Sequence, residues 1–178
     1  MDIREKILNK HKIFNGAVAD VYVTSEPNKD GEHLYYVKDF DLEYNDGPSR
    51  WKNKVTYYAY DSNGNPVATA LVKTSYHRKA VIEYETNKEY RNKGNMTILA
   101  KEIIRDVFEN EILNGLKIDR NSPLSNIELI ELQIDPRNLP SKAIAKKLGF
   151  DEFCYLRKDD YFEQKENMVQ STSKKAMK

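Results

Sequence analysis

The chain is almost without cysteine, and the lone Cys154 excludes an intrachain disulfide and fits a reducing, cytoplasmic setting. Cys154 lies between Phe153 and Tyr155 in a strand-like run, so it reads as a buried structural thiol rather than a nucleophile. Charge of one sign is also missing. With 29 basic and 28 acidic residues the net charge is +1, and no global field favours nucleic acid or an acidic membrane. No apolar run approaches the ~20 residues of a membrane span. The first residues, Met1-Asp2-Ile3-Arg4-Glu5-Lys6, lack the apolar core of a secretory signal. Metal-ligand spacing is lacking too: His11, His33 and His77 fall in unrelated segments, so no metal is expected. The twelve tyrosines lack the basic interleaving of a base-stacking platform, and strand packing accounts for most of them.

What is present is a change of period partway along 178 residues, a length suited to one domain with a real core. Residues 3–14 read as a short helix with Ile3, Ile7 and Leu8 on one side. Strands are expected at 21–23, 34–44, 54–60, 67–76 and 80–86. The 54–60 and 67–76 pair forms a hairpin across the turn chemistry of Asp61-Ser62-Asn63-Gly64-Asn65-Pro66. Then Met96, Leu99, Ala100, Ile103, Val107 and Phe108 recur at spacings of three and four, one buried helix face. Residues 115–126 read as a loop. Residues 127–134 are apolar on both parities, as in a strand covered on both faces. A second helix follows, with Asn138 as N-cap and Pro140 in the first turn. Gly149 suits its C′ position, with Phe150 folding back onto Ala145 or Ile144. Residues 153–157 read as one more strand, with 166–171 as its partner and 170–178 as a frayed tail. The order implies a single α/β (α+β) domain built on a mixed, mostly antiparallel sheet.

Two segments carry chemistry. In the first, a strand ending at Thr86 passes through Tyr90-Arg91-Asn92-Lys93-Gly94 and opens into the helix at Asn95-Met96-Thr97. Free backbone N–H groups and a positive helix end there suit a phosphate or pyrophosphate. The second is Asn138-Leu139-Pro140-Ser141, continuing to Lys147-Leu148-Gly149-Phe150. The basic run 142–147 beside it also reads as an ordinary solvated helix face.

Together these segments resemble the GNAT acetyltransferases, over residues 54–157. The superfamily signature of Arg or Gln, two residues, Gly, one residue, Gly or Ala falls on Arg91, Gly94 and Met96, where Met replaces the small residue. The branch that resembles ribosomal-protein N-terminal acetyltransferases fits at Ile82, Tyr84, Tyr90, Arg91, Lys93, Gly94, Met96 and Thr97. Its second motif matches at Asn138, Ser141 and 147–150.

The resemblance implies a cytoplasmic enzyme that moves an acetyl group from acetyl-CoA to an amine by direct attack on the thioester. The amine would belong to a small molecule or a protein N-terminus, and the enzyme would be a monomer or homodimer. Arg91, Asn92, Lys93, Gly94, Asn95, Met96 and Thr97 would hold the CoA pyrophosphate, with Thr86, Asn138 and Ser141 completing the cofactor site. The pantetheine arm would lie where the strand ending at Thr86 splays from the strand ending at Ile134, pairing as a pseudo-strand. An N–H near Thr86 would polarise the thioester carbonyl.

Glu83 and Glu85 project from one strand face, and either serves as base or simply faces solvent; Glu85, next to Thr86, is the first choice. Ala145 stands where many relatives place a tyrosine that protonates the thiolate, leaving Ser141 or a tyrosine such as Tyr155 for that role. Residues 1–53 would supply acceptor-side elements, with Asp39, Asp41 and Glu43 suited to a cationic acceptor. The rival readings are a catalytically weak acyl-CoA-binding or regulatory domain, and an unrelated phosphate-binding α/β protein.

Overall fold

The structure is a computed structural model and describes residues 2–12, 16–41, 51–75, 78–109, 111–113, 127–135, 137–152, 158–159, 162–163 and 165–167. Two compact units divide at Leu148 and Gly149.

The first unit begins with α1 (Ile3–Lys10), started by Asp2, whose side chain accepts from Arg4 N at 2.8 Å. Among the described residues seven strands form one sheet: β1 (Gly16–Ala17), β2 (Tyr22–Val23), β3 (Tyr35–Asp41), β4 (Trp51–Tyr60), β5 (Pro66–Ser75), β6 (Lys79–Thr86) and β7 (Leu129–Leu132). The order is β1-β3-β4-β5-β6-β7, with β2 also on β3. All pairs are antiparallel except β6 with β7. Helices α2 (Asn95–Glu109) and α3 (Leu139–Lys147) precede and follow β7.

The β4–β5 turn closes as its chemistry predicts. Asp61 Oδ1 accepts from Asn63 N and Asn65 N, each at 2.9 Å, and Gly64 takes φ +82°. By register, Lys38, Tyr57, Ala70 and Tyr84 lie in one row across β3–β6, and Phe40, Val55, Val72 and Ile82 in another on the same face. That face meets α2, whose Leu99, Ile103 and Val107 are fully covered. Each such side chain contributes about 1.5–3 kcal/mol by leaving water. On the opposite face α1 buries Ile7 against Val21, Val37 and Tyr60.

Several expectations need correction. The helix begun at Ile3 ends at Lys10. Phe108 is 48 % exposed, because the buried stripe runs through Asp106 and Val107 and leaves the next position turned outward. The strand expected at 127–134 pairs only over Leu129–Leu132, and Leu129 is 49 % exposed, so its second face is not fully covered. β1, two residues long, is too short to carry a periodic signal.

In the second unit, residues 158–159, 162–163 and 165–167 are helical. Glu166 is therefore not part of a strand; the charged run here suits a helix better than β pairing. The loop at 115–126 and the strand at 153–157, including Cys154 and Tyr155, lie outside the described residues, as do Phe14, Glu43, His77 and the 170–178 tail. Gly149 does take the positive φ, +87°, expected just past α3.

Candidate active site

The region between β6 and α2 is a loop whose geometry suits an anion cradle. A short 3-10 turn over Lys88–Tyr90 follows Thr86, then Asn92 and Gly94 adopt φ +64° and +78°. The two left-handed residues turn the chain so that α2 starts at once, with Ile98 N donating back to Gly94 O at 3.2 Å. The N–H groups of Asn95, Met96 and Thr97 are then first-turn donors with no place in the helical ladder. Their shared direction and the helix dipole favour negative charge.

The cradle is pinned from several sides. Tyr90 Oη donates to Asp61 Oδ2 at 2.7 Å, tying the loop to the β4–β5 turn. Burial alone would raise the Asp61 carboxyl, but hydrogen bonds from Tyr90, Asn65 and Asn63 outweigh it and hold it below its ordinary value. Asn95, only 2 % exposed, donates through Nδ2 to Tyr90 O at 3.0 Å and accepts from Asn28 Nδ2 at 3.0 Å. Arg91 Nε donates to Thr86 O at 3.1 Å, so its guanidinium folds back on the end of β6. Lys93 Nζ lies 3.8 Å from Asp30 Oδ2 and 5.8 Å from the centre of the Tyr90 ring.

Beside the cradle the sheet forks. β6 pairs with β7 from Lys79↔Leu129 to Ile82↔Leu132, and there the pairing stops. β6 itself continues to Thr86, paired there among the described residues with β5 alone, through Glu83↔Leu71, Tyr84↔Ala70, Glu85↔Thr69 and Thr86↔Ala68. Four residues at ~3.3 Å each leave about 13 Å of strand edge without a β7 partner. Its length suits an extended amide-bearing arm lying alongside.

Glu83 and Glu85 are both exposed on the face away from α2, as their alternation requires. They differ in depth: Glu83 adjoins the apex of the fork, and Glu85 adjoins its mouth. On the other face Tyr84 reaches α3, donating through Oη to Ser141 O at 3.2 Å. Burial raises the Tyr84 phenol, so it stays protonated near neutral pH. Asn138 caps α3 as expected, its Oδ1 accepting from Ser141 N at 3.2 Å. Just before the helix, Arg137 doubly contacts Asp135 at 3.1 and 2.9 Å and lowers that carboxyl to about 2.

Sequence reasoning misses the polar lattice that supports α2 from behind. Lys38 Nζ meets Asp106 Oδ2 at 2.8 Å, and Tyr57 Oη donates to the same oxygen at 2.9 Å. Glu102 receives Tyr36 Oη at 3.2 Å, Arg105 Nη2 at 2.6 Å and the Ser25 backbone N–H. Lys38, Glu102 and Asp106 are all at most 4 % exposed. Burial pushes the Asp106 carboxyl up, against the pull of Lys38. The available signal is that Glu102 and Asp106 share the 3/4 spacing of Leu99 and Ile103. Residues near Asn28 are a second omission: Asn28 Nδ2 donates to Asn95 Oδ1 and Lys29 N to Lys93 O, beside the start of α2.

Among the described residues no group of three metal-ligating side chains forms, and no helix is long and apolar enough to cross a membrane. A comparison with curated proteins finds no match. Among solved structures, the chain is similar to a ribosomal-protein-S5-alanine acetyltransferase from Vibrio fischeri, at 20 % identity and TM-score 0.46, over 56 % of this chain and 49 % of that one. It is also similar to a dodecameric spermidine N-acetyltransferase from Vibrio cholerae, at 18 % identity and TM-score 0.47, over 58 % of this chain and 53 % of that one. The matched part thus spans about half the length of those structures. A family model for the acetyltransferase (GNAT) domain matches residues 15–151, which takes in β1 through α3 with the cradle and the fork, and the chain belongs to that family.

Proposed function

We propose that the protein is an acetyl-CoA-dependent N-acetyltransferase that passes the acetyl group directly to an amine. The observation that carries the reading is the fork: pairing of β6 with β7 ends at Ile82, and the open edge runs straight into the anion cradle at the start of α2. A pyrophosphate on the N–H groups of residues 92–97 puts the pantetheine arm along Glu83–Thr86, bonding to the open strand edge. The thioester then arrives toward the apex. That geometry favours Glu83 as the base, whereas proximity to Thr86 along the chain favours Glu85.

In the reaction the amine lone pair attacks the thioester carbon while a carboxylate on β6, directly or through water, takes the amine proton. A backbone N–H of the open edge holds the developing oxyanion. The C–S bond breaks, and the thiolate takes a proton from solvent or from the Ser141 hydroxyl, which lies at the first turn of α3. Tyr84 ties α3 to β6 through its hydrogen bond to Ser141 O. The acceptor is an amine of a small molecule or of a protein N-terminus. The weaker reading, a domain that binds acyl-CoA with little turnover, draws on Ala145, which offers no hydroxyl on α3 where one would reach the thiolate.

Calorimetry with CoA tests the site. Gly94→Asp adds a carboxylate beside the anion and forces a side chain into φ +78°, so CoA binding should be nearly abolished in a protein whose circular dichroism is unchanged. Unchanged affinity in that folded variant overturns the assignment. Thiol release from acetyl-CoA across a panel of peptides, polyamines and small amines then separates an enzyme from a binding domain.

A further inference from the structure

We infer that Asp39 is a specificity-determining residue that holds a second positive charge of the acceptor, which makes the acceptor a long aliphatic diamine. The inference rests on the acetyl-CoA reading above, because it takes the reacting amine to stand at Glu83. Strand register links the two carboxylates. Asp39 pairs with Thr56, Thr56 with Leu71 and Leu71 with Glu83, one row across β3–β6. This row lies on the face away from α2, since it alternates with the row of Lys38, Tyr57, Ala70 and Tyr84. Three steps between strands at ~4.8 Å put Asp39 and Glu83 about 14 Å apart at their Cα atoms. Between the two acids stand Thr56 and Leu71, both only partly covered. A methylene stem suits Leu71, and an ammonium suits each end.

The Asp39 end lacks a full counter-charge. Its side chain is 12 % exposed, and among the described residues neither lysine nor arginine forms an ion pair with it. The groups that meet it are the Ala17 backbone N–H and His11. His11 is 5 % exposed, with Nδ1 3.7 Å from Asp39 Oδ2. Nδ1 has no hydrogen-bond partner, while Nε2 lies 2.6 Å from Tyr60 Oη. Burial lowers the His11 imidazole, so near neutral pH it brings no full charge to the carboxylate. A largely buried carboxylate without a cation is costly. With Nε2–H donated to Tyr60, Nδ1 and Oδ2 are two acceptors 3.7 Å apart, a span that one ammonium bridges by donating to both. Tyr58, in the neighbouring row and with its ring 4.8 Å from the imidazole, offers an aromatic face to the same charge. Lys54 and Lys73, also on this face, stand opposite each other in the next row and not against Asp39.

Thiol release from acetyl-CoA by the full chain tests this, with a series of α,ω-diamines and the monoamines of equal length as acceptors. Wild-type kcat/KM should pass through a maximum as the diamine lengthens. At that maximum it should exceed the matched monoamine by about 10- to 100-fold, the size of one charge-assisted contact. Asp39→Asn keeps the shape and an oxygen for the Ala17 N–H. It should bring the diamine down to the level of the monoamine, through KM, with CoA affinity unchanged in calorimetry. Equal kcat/KM for diamines and monoamines in the wild type would overturn the proposal without any variant. A diamine preference that survives Asp39→Asn would overturn the role of that residue. Acetylation of peptide N-termini with no turnover of any diamine would give this face to a polypeptide and overturn the diamine class. A wild-type protein that does not bind CoA fails earlier, at the acetyl-CoA reading itself.

Discussion

Glu83 and Glu85 show how little a residue's type says about its work. Both are exposed carboxylates on one face of β6, two positions apart. Only the end of the β6–β7 ladder at Ile82 distinguishes them, by placing Glu83 beside the apex where an arm entering at Thr86 would deliver its thioester. Glu83→Gln should therefore lower turnover by roughly 10²–10⁴-fold while CoA affinity holds. The loss should shrink as pH rises and free amine becomes abundant. Glu85→Gln should have the smaller effect, and equal rates for all three proteins in a thiol-release assay would make both carboxylates surface residues. The conformation of Gly149 and the capping role of Asn138 are legible in the sequence, since a positive φ and an N-cap are properties of a few consecutive residues. For Asn95 the sequence points to the backbone alone. Its buried amide, which bonds Tyr90 O and also Asn28, 67 positions earlier in the chain, leaves no local trace.

At the level of elements, α2 is held by charge as well as by apolar packing. Its stripe of Leu99, Glu102, Ile103 and Asp106 faces the sheet, and the two acids are met there by Tyr36, Tyr57, Arg105 and Lys38. Removing one member leaves its partner charged and buried. Asp106→Ala should thus cost about 3–5 kcal/mol in urea unfolding, through the stranded Lys38 ammonium. The double variant Lys38→Met, Asp106→Leu should recover most of that loss, because neither desolvated charge remains. A double variant as unstable as Asp106→Ala would show that packing, not charge, dominates the site. Periodicity marks this helix and its apolar residues and is silent on Glu102 and Asp106. Hydropathy has no means of registering that an ammonium and two phenols wait on the facing strands.

Across the whole molecule, α1 is joined to β3 and β4 by a largely buried polar cluster on the sheet face opposite α2. His11 Nε2 lies 2.6 Å from Tyr60 Oη, its ring packs 4.8 Å from that of Tyr58, and Nδ1 is 3.7 Å from Asp39 Oδ2. Burial lowers the His11 imidazole below 6.5, with Asp39 opposing and Lys10 adding slightly; burial also raises Asp39, with His11 opposing and Asp41 adding. The signs differ. Below pH 6.5 the unfolded chain protonates His11 before the folded one does, so the stability present above 6.5 falls as pH drops through that window. Asp39 acts at lower pH: the folded state binds its proton first, so this group's contribution declines as pH rises from 3.8 toward its raised folded value. Melting temperature should therefore decline on acidification just below pH 6.5. His11→Gln should flatten that decline, and an identical profile in the variant would remove His11 as its source.

What the sequence by itself determined was whatever depends on neighbours along the chain. The hairpin turn at Asp61–Asn65, the start of α3 at Asn138, the left-handed glycines and the stripe of α2 each follow from backbone sterics and hydrogen bonds within a few residues. The two motifs made of such pieces were enough to indicate the family. The tertiary structure alone decided where β6 parts from β7, which carboxylate stands at that fork, and that residues 24–32 brace the cradle. It also turned the charges of α2 inward and left Phe108 and Leu129 half-exposed. Those outcomes depend on contacts between residues tens of positions apart. There the free energy comes from surfaces brought together by the sheet, and no window along the chain contains both sides of the contact.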